Sequence, residues 1–231
     1  MHEGSSYHYA AAFANIKKRD RGMLCKPGTL VGLTIDELRK RAKTSELDLP
    51  KKDENEVHKR AKIHWPEYTR KYLPHIEPDW VEQPVIKEVT LKGTSFKLAG
   101  VLDLTTKKAA KNELSEAVID YKTTGRAKGQ ADADESLQLS IYSFASGRNK
   151  VGLLSFVKSA NPYIAYVKSE RTPADHAWAL EIARRVYLSI QTGVFTLANP
   201  DPRNWWCTEK FCGYWDDCRG KYVKTKTQRL V

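Results

Sequence analysis

Long apolar segments are missing from this 231-residue sequence. No run approaches the roughly 20 apolar residues that a transmembrane helix needs, and the first residues lack the apolar core of a signal peptide. We therefore expect a cytoplasmic protein with no membrane partner. The P-loop pattern G-x-x-x-x-G-K-S/T is also absent, which predicts that the chain carries no helicase motor of its own.

Acidic residues are few relative to basic ones. The chain has 39 Lys and Arg against 28 Asp and Glu, which gives a formal net charge of +11. This excess favours an anionic partner, either nucleic acid or a membrane surface, and charge alone does not choose between them. The length and the 41% of hydrophobic residues suit a globular chain with one sizeable core.

Two short apolar runs between residues 99 and 123 each end in an acid. They read A-G-V-L-D-L-T-T and A-V-I-D-Y-K-T-T, and they deliver Asp103, Asp120 and Lys122. Residues two apart on a strand share a face, so Asp120 and Lys122 emerge together, and Asp103 reaches the same patch if the two runs pair. Carboxylates beside an ammonium fit a strand poorly, but they suit a divalent cation that binds oxygen ligands and activates water.

A D-x-K on a strand is common by chance, so the order of the neighbouring motifs carries the interpretation. G-x-x-D ends at Asp103, D-x-K spans Asp120 to Lys122, and Q-x-x-x-Y follows at Gln138 and Tyr142. In this order the sequence resembles the RecB-like branch of the PD-(D/E)XK nuclease superfamily, which includes CRISPR-associated and phage exonucleases. The resemblance implies a helix over the site, from which Gln138 and Tyr142 contact the lysine, the water or a DNA phosphate.

The resemblance also implies a ligand set for Mg²⁺ or Mn²⁺. Asp103 and Asp120 would hold the ion, the Tyr121 carbonyl would add an oxygen, and Lys122 would position the attacking water. H-E-G at His2 to Gly4 is similar to the family's histidine motif, which makes His2 a further expected ligand. Because the chain begins there, we expect it to lack the family's usual N-terminal helix. Glu82 resembles the glutamate that opens the family's first strand.

The periodicity predicts an α/β fold with a mixed central sheet, a three-strand meander plus two further strands, flanked by helices. Helices are expected over residues 1–20, 34–44, 53–72, 134–146 and 172–193, and strands over 84–91, 95–104, 117–122, 152–157 and 163–167. We expect a core over residues 1–200, with a helical insert at about 21–78 that forms a peripheral cap or only packing decoration, and a cysteine-rich lobe with a basic tail over 201–231.

Three details of the helices are open to direct comparison with a structure. Thr34, with Glu37 three residues later, predicts an N-cap preceded by a loop. Pro66 should kink or split its helix. Apolar residues at period four predict the buried stripe of the last helix, namely Trp178, Ile182, Val186 and Ile190.

Three of the four cysteines cluster near the C-terminus, at Cys207, Cys212 and Cys218. Thiolates suit zinc or an iron-sulfur cluster, and both normally need four ligands. Relatives that carry a four-iron four-sulfur cluster combine three late cysteines with an early one, and Cys25 is the remaining candidate. Reduced thiols packed among aromatic rings are the alternative.

These inferences together predict a metal-dependent DNA nuclease, an exonuclease that hydrolyses phosphodiester bonds in recombination, repair or phage DNA processing. A helicase or a recombination protein would be a suitable partner, because the chain lacks a motor. Two other functions stay open at this point: a non-catalytic DNA-binding module of the same fold, and a partner-binding protein held together by a metal centre.

Overall fold

The computed structural model describes residues 2–45, 49–109, 112–194, 207–218 and 220. The chain divides into two compact units, residues 1–184 and 185–231. The predicted boundary near residue 200 and the basic tail after Cys218 lie outside the described residues, apart from residue 220. No helix in the described ranges has the length and apolar character to cross a bilayer.

The structure confirms the predicted α/β class and most of the expected elements. The helices are α1 (His2–Arg21), α2 (Pro27–Thr44), α3 (Lys51–Lys71), α4 (Gln130–Asp134), α5 (Leu137–Ser146) and α6 (Pro173–Thr192), with a short 3₁₀ turn at Leu73–His75. The strands are β1 (Pro78–Leu91), β2 (Thr94–Thr106), β3 (Ala117–Thr124), β4 (Lys150–Val157) and β5 (Tyr163–Glu170).

The five strands form one sheet in the order β1-β2-β3-β4-β5. Neighbours run antiparallel except β3 and β4, which are parallel because α4 and α5 intervene between them. Alternate residues of β3 and β4 belong to two separate cores. Val118 and Leu153 pack with α5, whereas Ile119 and Phe156 pack with α1 and α3.

The insert between α1 and β1 belongs to the larger core and is not a peripheral cap. Leu30, Trp65 and Tyr68 from α2 and α3 are fully buried in it. Thr34 is not an N-cap, because α2 already begins at Pro27, a residue favoured in the first turn. The Thr34 hydroxyl instead donates to the Leu30 carbonyl (2.8 Å) and accepts from the Trp65 indole N–H (2.9 Å). Pro66 does not split α3, which is continuous through it.

The packing of α1 and α6 departs from simple apolar periodicity. In α1 the buried residues include Ala10, Ala11 and Ala14, while the large residues Tyr9, Phe13 and Ile16 are exposed, so small side chains set the close packing of this helix. In α6 the expected stripe is not buried: Trp178 is 68% exposed, Val186 and Ile190 are also exposed, and Ala179 is buried. Thr172 caps α6, since its hydroxyl oxygen accepts the Asp175 backbone N–H at 3.4 Å and its own amide donates to the Asp175 carboxylate at 2.7 Å.

Candidate active site

Strands β2 and β3 separate at the two central acids. Their described pairing consists of Leu104 with Ile119 and Thr105 with Val118, and the next opposed residues are Asp103 and Asp120. Asp103 Oδ2 accepts a hydrogen bond from the backbone N–H of Tyr121 at 2.8 Å. The carboxylate thus takes the place that a strand carbonyl would have, and it holds the gap open. Asp103 and Asp120 are 8% and 1% exposed.

The second acid lies in a compact polar network with the lysine of its own strand and two residues of α5. Asp120 Oδ1 accepts a hydrogen bond from Gln138 Nε2 at 2.9 Å, and Lys122 Nζ donates to Gln138 Oε1 at 2.8 Å. Gln138 Nε2 also lies 3.0 Å from Tyr142 Oη. The structure therefore brings together four of the residues expected at the site.

One oxygen of this network is incompletely satisfied. Lys122 Nζ lies 2.7 Å from Asp120 Oδ2, which makes an ion pair, but the geometry is not that of a hydrogen bond. Among the described residues this buried oxygen has no hydrogen-bond partner. Buried carboxylate oxygens normally have one, and a carboxylate oxygen has lone pairs that can bind a further ligand.

On the other side of Asp103, the structure adds a histidine and a glutamate. His8 Nδ1, from α1, lies 3.4 Å from Asp103 Oδ1. Glu82 lies opposite Asp103 in the β1–β2 register, just after an irregularity in that ladder. One ligand atom from each of His8, Glu82 and Asp103 lies within 4.8 Å of the others, which suits a metal ion. Glu82 also adopts φ +48°, a left-handed conformation that is unfavourable for a side-chain-bearing residue.

His2 does not join this group. It lines a separate groove with Leu38, Val57 and Arg60, on the side of α1 that faces α2 and α3. His2 and His8 are six residues apart, and at about 3.6 residues per turn they face different sides of the helix. The structure therefore places His8, and not His2, beside Asp103. No local spacing in the sequence singles out His8, because its approach to Asp103 is a long-range contact between α1 and β2.

The charge of Asp103 shifts the pKa values of the titratable groups around it. Burial, together with the charge of Asp103, raises the pKa of Asp120 to about 6 in spite of Lys122. Desolvation and the Asp103 charge also raise the pKa of Glu82, although its side chain is exposed overall. Burial opposes the charged form of His8, but the hydrogen bond and charge of Asp103 outweigh it and raise the pKa. The negative charges crowd one another, and a divalent cation would relieve that repulsion.

The cysteines do not form a comparable group. Cys25 is buried in the larger core, and burial raises its thiol pKa. In the portion of the chain that the structure describes, three ligand atoms come within 4.8 Å of one another only at His8, Glu82 and Asp103. The sulfurs of Cys207, Cys212 and Cys218 are thus not within 4.8 Å of one another, and a metal centre there stays a prediction from sequence.

Comparison with known proteins identifies the fold family. The family model described as the PD-(D/E)XK nuclease superfamily matches residues 2–219. The chain belongs to this superfamily. No curated protein matches it. Two solved structures are similar: SSO0001, with 20% identity and TM-score 0.41, and a protein from Eubacterium rectale named as a candidate exonuclease, with 13% identity and TM-score 0.45.

The two alignments differ in extent. The first covers 62% of this chain and 61% of SSO0001, so the chain spans less than two thirds of that protein. The second covers 98% of this chain and 94% of the E. rectale protein. The family assignment rests on the family model, which spans both acids, Lys122 and α5.

Proposed function

We propose that this nuclease-family chain is a metal-dependent deoxyribonuclease, and specifically an exonuclease of the RecB-like branch that acts in recombination, repair or phage DNA processing. The observation that carries the proposal is the meeting of Asp103, Asp120 and Lys122 where β2 and β3 separate. Two buried acids and an ammonium at the end of a strand ladder contribute little to packing, and together they provide the groups needed to hydrolyse a phosphodiester.

The donors present fit Mg²⁺ or Mn²⁺. Asp103, Glu82 and His8 converge within 4.8 Å, and Asp120 Oδ2 is buried without a hydrogen-bond partner among the described residues. Carboxylate oxygens with one imidazole favour Mn²⁺ or Mg²⁺ over soft metals. In the proposal these four residues hold the ion, with the Tyr121 carbonyl as an additional oxygen. When bound, such an ion lowers the pKa of a water and neutralises charge on a phosphate oxygen.

The remaining side chains position the attacking water and stabilise the charge on the phosphate. Lys122 is fixed by Asp120 and Gln138, so its ammonium can donate to the attacking water or to a phosphate oxygen without reorganising. Gln138 links the lysine to the acid and orients both. Burial raises the pKa of Tyr142, so its phenol is neutral and can donate a hydrogen bond to a phosphate oxygen.

The proposed substrate is DNA, which agrees with the net charge of +11. The test compares end-labelled single-stranded, blunt duplex and circular DNA with Mg²⁺ or Mn²⁺. We expect linear DNA to be degraded, circular DNA to be spared, and EDTA or Asp120→Asn to abolish cleavage. Asp36→Asn, a change of an exposed acid on α2, is the matched control and should cleave normally. Full activity of Asp120→Asn would refute the assignment, and equal cleavage of circular DNA would indicate an endonuclease.

A further inference from the structure

A groove of about 470 Å³ lies directly beside the candidate active site and shares His8 and Glu82 with it. Its α1 wall is formed by Gly4, Ser5 and Ala12, which are small and lie on the same helix as His8. Small side chains leave space between α1 and the neighbouring element. The groove therefore provides a path along which a polymer could reach the metal ligands.

Arg41 supplies the positive charge of this groove. Of the described residues that line it, Arg41 is the one permanently charged cation, and its positive charge reaches Glu82. Glu37, which is largely buried, accepts a hydrogen bond from Arg41 Nε at 2.7 Å and fixes the side chain. The terminal guanidinium nitrogens have no hydrogen-bond partner among the described residues, and the side chain is 43% exposed. A preorganised guanidinium of this kind is suited to a phosphate.

Tyr9 supplies an aromatic surface in the same groove. Its ring is 44% exposed and lines the groove. A nucleobase can stack on such a ring only after it leaves its own stack, so a tyrosine here favours an unpaired strand over an intact duplex. A phosphate-binding arginine and a stacking tyrosine side by side match one nucleotide of single-stranded nucleic acid.

We infer that this groove binds the nucleotide adjoining the scissile phosphate of an unpaired DNA strand, with Arg41 contacting its phosphate and Tyr9 stacking on its base. The inference rests on the proposed nuclease function, because a phosphate is scissile only if the protein cleaves the strand. The groove's affinity for a single strand, however, can be measured without any cleavage.

Binding is measured on the full chain carrying Asp120→Asn, in EDTA, by fluorescence anisotropy of a short labelled single strand and of the matching blunt duplex. In this background Arg41→Gln should weaken single-strand binding about tenfold, since it removes a charge-assisted contact. It should also reduce the slope of log K against log salt by about 0.7, the value for one phosphate contact on a single strand. Tyr9→Ala should weaken binding about tenfold, whereas Tyr9→Phe, which keeps the ring, should bind normally.

Arg39→Gln is the matched control. Arg39 lies on the same helix, but its guanidinium is engaged by Glu54 at 2.6 and 3.0 Å, outside the groove. Because Arg41→Gln leaves the Glu37 carboxylate poorly paired, a double variant with Glu37→Gln keeps this pair neutral. If Arg41→Gln does not fold, the double variant takes its place in the binding assay.

The outcomes separate the two hypotheses. Selective loss of single-strand binding in the Arg41 and Tyr9 variants, with Arg39→Gln unchanged, supports the groove even if no cleavage is ever detected. Equal effects of Arg41→Gln and Arg39→Gln, or wild-type binding by Tyr9→Ala, would overturn the groove while leaving the nuclease proposal intact. Equal loss on the blunt duplex would overturn the assignment to an unpaired strand.

Discussion

Replacing Asp120 by asparagine should stabilise the metal-free protein while it removes activity. Burial and the neighbouring Asp103 raise the pKa of Asp120 from 3.8 to about 6, so ionisation of this carboxyl works against the folded state. Asparagine has nearly the same shape and carries no charge. It can still accept the hydrogen bond that Gln138 donates to Asp120 Oδ1.

The size of this stabilisation follows from the linkage between proton binding and folding. A pKa raised by roughly two units corresponds to roughly 2–3 kcal/mol of destabilisation at pH 7, where the carboxyl is ionised in both the folded and the unfolded state. The native state binds the proton more tightly, so the penalty is absent below the unfolded pKa and grows as pH rises toward 6. At pH 5 the difference between wild type and Asp120→Asn should fall to about half.

The assay is thermal unfolding in EDTA, followed by near-ultraviolet circular dichroism, at several pH values. For a chain of this size each kcal/mol moves the midpoint by about 2–4 °C, so Asp120→Asn should melt about 4–12 °C higher than wild type at pH 7. Mn²⁺ at about a hundred times its Kd adds about 2.7 kcal/mol to wild type. The variant lacks a ligand and should gain much less. A variant that melts below wild type in EDTA at pH 7, or a pH-independent difference, would refute this reasoning.

Three further predictions follow from single residues. Lys122→Met should lower turnover about 10²- to 10³-fold while Mn²⁺ binding, measured by calorimetry, persists, because the ammonium acts on developing charge; a proportional loss of Mn²⁺ binding would argue instead for a structural role. Glu82→Gly should be about 1 kcal/mol more stable than Glu82→Gln in denaturant melts, because glycine tolerates φ +48°, and both should bind Mn²⁺ less tightly than wild type. His64 is buried and neutral, with Nε2–H donating to the Val157 carbonyl and Nδ1 accepting from Tyr7 Oη, and burial lowers its pKa. The contribution of His64 to stability should therefore be lost as pH falls below about 6.5, so the stability difference between wild type and His64→Gln should shrink over that range.

The order of the strands and their approximate limits could be predicted from the sequence because β3 and β4 are short and almost continuously apolar. Such runs need burial on both faces, which predicts a sheet with helices packed on either side. The buried faces of the helices were harder to predict. Trp178 and Ile190 repeat at helical spacing, yet they are exposed, because periodicity shows that apolar residues share a face and not that another element covers it.

The site was predictable where its residues lie on neighbouring strands and on the helix that follows. Asp120 and Lys122 are two apart on a strand, and Gln138 and Tyr142 are four apart on α5, so local geometry alone pairs them. His8 could not be found this way. Its approach to Asp103 depends on how α1 crosses the sheet, a long-range property that no local spacing encodes.

Asp103 links the fold to the chemistry more closely than either acid motif suggests. Its carboxylate accepts the backbone N–H of Tyr121, so the group that opens the sheet also presents an oxygen to His8 and Glu82. A residue without a carboxylate at this position would leave a buried amide unpaired or allow the strand ladder to continue, and either change would close or distort the space for an ion. The proposed cation site is therefore a consequence of where strand pairing stops, which explains why an acid can occupy the middle of a buried strand.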